Sequence, residues 1–139
     1  MAFTSKNRMM GTPAKNQIIT NINNTVFGFK RLLGLKFDDP LVAEEQKYLP
    51  FTLVATADNE VGCKVEYLNE EVLFSVREIV AMLFTKVKDI AESDMECKVT
   101  ECVISVPYFF TEAQRRALLD AANIASLKVG ISIYDQTKG

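Results

Sequence analysis

Histidine does not occur among the 139 residues. Its absence excludes a Ser-His or Cys-His catalytic pair and a histidine-ligated zinc site. Cysteine is scarce: Cys63, Cys97 and Cys102 are an odd number at irregular spacing. That argues against a disulfide framework and fits a reducing compartment. The six glycines are scattered singly and form neither GxGxxG nor a P-loop. No apolar run approaches the ~20 residues needed to span a bilayer. Met1 to Arg8 contains no apolar core of a secretory signal, so the sequon at Asn23-Asn24-Thr25 is expected to go unused. A net charge of −2 gives no sequence-wide positive field of the kind that attracts nucleic acid. What is present is ordinary for a globular chain: 48% hydrophobic and 24% charged residues, enough for one domain with a real core.

The stretch from Glu101 to Tyr134 organises the rest. Glu101 to Val106 is a short apolar run rich in β-branched residues, which predicts a strand buried on both faces. Pro107 ends it, because proline cannot donate to a sheet ladder. Thr111 followed by Gln114 is a capping-box pattern. It opens a helix over Glu112 to about Ser126, lined by Ala113, Ala117, Ala121, Ala122 and Ala125. Lys128 to Tyr134 then reads as a second strand, parallel to the first.

Upstream, the first ten residues read as a polar tail. Thr12-Pro13 predicts a short helix to about Thr20, and Thr25 to Leu33 a second one ended by Gly34. Asp39-Pro40 starts a third, to about Tyr48. Strands follow at Thr52–Ala55, Gly62–Tyr67 and Val72–Phe74, the middle one alternating between apolar and charged residues. Ser75 with Glu78 opens the longest helix, to about Ser93. Val76, Ile79, Val80, Leu83, Val87, Ile90 and Ala91 form its apolar stripe, and Arg77, Glu78, Lys88, Asp89 and Glu92 face away from it.

Chemistry is sparse. Lys30-Arg31 is a basic pair in an apolar segment. It reads either as two snorkelling side chains or as a positive pair aimed at a phosphate. Asp135 lies just past a strand end, where open α/β sheets place ligand groups, but Asp is also a common loop residue.

Several segments together resemble the heat-shock protein 70 chaperone superfamily. They are Thr12-Pro-Ala-Lys-Asn-Gln17, Asn24-Thr-Val-Phe-Gly-Phe-Lys-Arg-Leu-Leu-Gly34, Lys36-Phe-Asp-Asp-Pro40, Val103-Ile-Ser-Val-Pro107 and Gln114-Arg-Arg116 with Asp120-Ala-Ala122. They occur in the family's order over nearly the whole chain. Lys47-Tyr48-Leu-Pro50, Leu73-Phe-Ser-Val76 and Phe109-Phe-Thr-Glu-Ala113 are more similar to its larger heat-shock 110 branch, related to co-chaperones that exchange nucleotide on smaller relatives.

The resemblance implies an α/β chain of the actin-like ATPase (ribonuclease H-like) fold, in part. Residues 1–98 would be the outer subdomain of the first lobe, and 99–139 a strand-helix-strand piece of the inner one. It implies ATP or ADP with magnesium in the intact parent, a heat-shock 70 chaperone as partner, and a cytoplasmic location with the nucleus also open. By resemblance Lys30 matches the catalytic lysine beside the γ-phosphate, with Arg31 adjacent to the phosphates. Pro107 and Arg115 match a proline and an arginine of the nucleotide switch, and Asp135 a coupling glutamate. The family's Gly-x-Asp-x-Gly-Thr phosphate hairpin, its second lobe and its peptide-binding domains have no counterpart in the sequence. The readings that follow are a nucleotide-exchanging co-chaperone, an ATP-hydrolysing lobe, or an inactive fragment. Tyr134 and Tyr108 depart from the family pattern.

Overall fold

The structure, a computed structural model, describes residues 1–134, with side chains through Ile133. The chain divides into two compact units, Met1–Val76 and the residues from Arg77 onward.

The first unit is built on a small antiparallel sheet. Strands β3 (Leu53–Ala55), β4 (Val61–Tyr67) and β5 (Glu70–Ser75) pair in that order. Cys63 and Val65 on β4 are buried while Lys64 and Glu66 are exposed, as the alternation predicts. The N-terminal residues are not a polar tail. Ala2–Phe3 (the first strand, β1) and Arg8–Met9 (β2) form an antiparallel pair. Phe3 is fully buried, its ring stacked on Phe74 at 5.1 Å and edge-on to Tyr67 at 5.4 Å. The backbone follows the ring: the Val26 amide donates to the Met1 carbonyl and the Leu68 amide to that of Thr4. Two apolar residues ahead of a polar stretch were enough to anchor it, because their partners lie far away in sequence.

Two predicted helices are mostly something else. The first, α1, is the single turn Thr12–Lys15, with Gly11 rather than Thr12 in the capping position. The segment 25–33 is extended at Thr25 and makes only a 3-10 turn, Phe29–Arg31. Val26, Leu32 and Leu33 are buried from that irregular backbone, which is why the segment looked apolar on more than one side. Helix α2 (Pro40–Gln46) starts as read, with the Asp39 carboxylate accepting from the Leu41 amide at 2.9 Å.

The second unit comprises α3 (Val76–Met95, entered from the first unit's last residue), β6 (Glu101–Pro107), α4 (Glu112–Ile124) and β7 (Lys128–Tyr134). β6 and β7 pair in parallel, from Glu101 opposite Lys128 to Pro107 opposite Tyr134. The Thr111–Gln114 capping box is present in both directions. Ala117, Leu118, Ala121 and Ala122 make the buried face of α4.

Here too the structure departs from expectation. The strands are covered on one face only: Val103 is 74% exposed, and Ser105, Gly130 and Ser132 on the same face are open. Glu101 and Ser105 carried that alternation within an apparently unbroken run. Lys88 and Glu92 lie opposite the stripe of α3 as read, but they are engaged rather than free in solvent. Lys88 donates to the Ala125 and Ser126 carbonyls at 3.5 and 3.4 Å, a cation at a helix C-terminus, and Glu92 accepts from the Val99 amide at 2.9 Å. Among the described residues no helix is long and apolar enough to cross a membrane.

Two outcomes follow from this packing. Phe3→Ala should destabilise the first unit by about 3–5 kcal/mol, the range for emptying a large aromatic site, read by urea denaturation; a loss under about 1 kcal/mol would mean the ring is not the anchor. Hydrogen exchange followed by mass spectrometry should find β4, paired on both sides, slower than β6 and β7, whose outer edges have no strand partner among the described residues; the reverse order would place the weaker half wrongly.

Candidate functional site

Lys30 owes its position to the residue two before it. Thr25 runs extended, and Gly28 then adopts the left-handed conformation, φ 69° and ψ 10°. Only glycine takes that geometry without cost. It starts the 3-10 turn Phe29–Arg31, closed by the Leu32 amide donating to the Phe29 carbonyl at 3.1 Å. Leu32 and Leu33 then plunge into the core, and Phe27 sets its ring edge-on to Phe51 at 5.7 Å. With apolar neighbours fixed on both sides, Lys30 and Arg31 are left on the surface.

The two cations differ. Arg31 lies 3.6 Å from the Glu45 carboxylate on α2. Lys30 is exposed, and among the described residues no hydrogen bond or ion pair engages its ammonium group. Nearby Lys36 donates to the Asp58 carbonyl at 3.2 Å. The sequence reading missed Glu45 as the residue that separates the basic pair. Its only sequence signal was an acid on the next predicted helix.

Pro107 and Arg115 flank one loop in the second unit. Pro107 is the last residue of β6, and its carbonyl accepts from the Phe110 amide at 3.1 Å. The turn holds Tyr108 and Phe109 edge-on at 5.7 Å, both exposed, before Thr111 caps α4. Arg115 sits one turn into that helix, its amide donating to the Thr111 carbonyl at 3.0 Å. Its Nε is buried without a hydrogen-bond partner among the described residues. Asp135 lies outside the described residues. No cluster of three or more metal-binding side chains occurs among the described residues.

The sequence as a whole decides the family. The model of the family described as Hsp70 protein matches residues 1–137. The chain belongs to the Hsp70 family. It is 44% identical over 127 residues to human heat shock 70 kDa protein 4L and, at the same identity and length, to human heat shock 70 kDa protein 4; each alignment covers 91% of this chain and 15% of the relative. It is 45% identical over 137 residues to heat shock protein hsp88 of Neurospora crassa, covering 99% of this chain and 19% of the relative. The chain therefore spans less than a fifth of the length of these curated relatives. As an Hsp70-family chain it is most like the heat-shock 110 branch, as its motifs suggested.

The geometry makes Gly28 testable by itself. A Cβ built there meets only Leu49 Cδ2, at an ordinary 3.6 Å, so the cost of Gly28→Ala is backbone strain alone. It should be about 1–2 kcal/mol by chemical denaturation. A neutral or stabilising result would mean the turn does not need its left-handed residue.

Proposed function

We propose that the chain is part of the nucleotide-binding domain of a heat-shock 110-type chaperone of the Hsp70 family. In this reading residues 1–98 are the outer subdomain of the first lobe of an actin-like ATPase fold, and 99–139 a strand-helix-strand piece of the inner subdomain. The family match over residues 1–137 supports it. The observation that carries the assignment of a site is the free ammonium group of Lys30 beside an Arg31 already held by Glu45. A cation without a protein partner, on a turn fixed by buried neighbours, is preorganised for an anionic ligand.

The ligand of this reading is ATP or ADP with magnesium. The described residues fit only its phosphate end: Lys30 offers a donor, and no cluster among them suits the metal. ATP supplies the transferable phosphoryl group, and Lys30 stabilises charge that develops on the γ-phosphate oxygens. Arg31 adds a positive field from the same turn. Pro107 and Arg115 act as the coupling elements, since the turn after Pro107 leads straight to the capped helix that carries Arg115. Asp135 completes that coupling. In the whole protein the role is nucleotide exchange on a smaller partner chaperone of the same family, in the cytoplasm.

By itself the chain should bind ATP weakly, because a solvent-facing cation contributes ~1 kcal/mol or less; micromolar affinity by calorimetry with magnesium would contradict this. In a chimera restoring the phosphate hairpin and second lobe from a relative, Lys30→Ala should lower single-turnover hydrolysis by on the order of a hundredfold. Nucleotide affinity should stay near that of the parent, because the interaction strengthens in the transition state. Arg31→Ala should have a small effect on both. Equal, modest losses would return Lys30 to an ordinary surface residue. The exchange role is read separately, as faster release of labelled ADP from the smaller partner chaperone; an unchanged release rate would remove it.

A further inference from the structure

The apolar stripe of α3 is covered at one end and bare at the other. Val76 and Val80 are buried, Leu83 is half-buried, and Val87 and Ile90 are 54% and 57% exposed. At 3.6 residues per turn these positions stay on one side of the helix. A shallow groove lined by Lys86, Asp89, Ile90, Ser93 and Asp94 runs along the bare part. Lys86 and Asp94 are exposed, and among the described residues neither takes part in an ion pair.

The charges are arranged about Ile90. Lys86 lies four positions before it and Asp94 four after (90 − 86 = 94 − 90), each about 6 Å away along the axis. A second α3 laid antiparallel, with the two-fold axis through Ile90, sets each Lys86 against the other copy's Asp94. It also sets Val87 against Ser93, a small residue that admits close approach. A parallel arrangement would oppose Lys86 to Lys86 and Asp94 to Asp94. The Lys86–Asp94 pattern is self-complementary in one orientation only, as an isologous contact requires, and the groove's third charge, Asp89, falls opposite Ala91 of the other copy.

We infer that this face of α3 is a homodimer contact, formed by antiparallel packing of two copies about Ile90 with reciprocal Lys86–Asp94 pairs. A contact two to three turns long falls below the usual interface size, so the dimer is weak and sensitive to salt. It does not depend on the nucleotide reading.

The test is sedimentation equilibrium of the 139-residue chain at up to about 1 mM, where weak contacts register. The wild type should show a monomer–dimer equilibrium that weakens with added salt. Lys86→Glu and Asp94→Lys should each weaken dimerisation about tenfold or more, since each opposes like charges. The double reversal should recover the wild-type constant. The two single variants, mixed, should form a heterodimer with both pairs restored. A monomeric wild type, association indifferent to both reversals as strand-edge pairing would be, or a mixture no more dimeric than its components would overturn the proposal.

Discussion

One left-handed residue governs the face that carries Lys30. Gly28 turns an extended segment into a single 3-10 turn. That reversal lets Val26 and Leu32, on either side of it, both enter the core. Were Thr25 to Leu33 a continuous helix, Lys30 and Arg31 would ride on an amphipathic rod and their directions would be set by helical period alone. Instead they are set by what is buried around them. Each buried aliphatic group contributes about 1.5–3 kcal/mol, far more than a solvent-facing charge could offset, so the turn is held from beneath.

The same imbalance explains the difference between the cations. Arg31 reaches Glu45 because α2 starts where Asp39 and Pro40 place it. The pair is solvent-facing and worth little energetically. Its consequence is geometric: it occupies one cation and leaves its neighbour open. An unpaired lysine is common on any surface. An unpaired lysine on a turn flanked by buried residues, at the position where the family resemblance puts a γ-phosphate contact, has a more specific reading.

Legibility in the sequence followed the range of the forces involved. The strand-helix-strand of the second unit was readable nearly to the residue, because its signals are local: Pro107, the Thr111–Gln114 box, and alanines at helical spacing. The hairpin at Ala2–Met9 and the irregular turn at Phe29–Arg31 were not. Phe3 is explained by Tyr67 and Phe74, which no local pattern connects to it. The one-sided burial of β6 and β7 was hidden by Val103, an apolar residue on the open face. The basic pair was visible, but residue types alone left it undecided between snorkelling and phosphate binding; the family resemblance offered a role as a proposal, and the structure separated Lys30 from Arg31. Pro107 and Arg115 were found as motif positions, and the loop between them was already bounded in the sequence by the strand-ending proline and the capping box.

The central claim is that the Lys30 ammonium faces the terminal phosphate when nucleotide is bound. An ATP analogue carrying an acyl group on its γ-phosphate transfers that group to whichever lysine lies alongside. With this chain in the full-length frame of a relative, peptide mapping by mass spectrometry should find acylation at Lys30, suppressed by excess ATP, while Lys36 stays unlabelled. Labelling spread over Lys36 and the other surface lysines, or label at Lys30 that ATP does not suppress, would contradict the account.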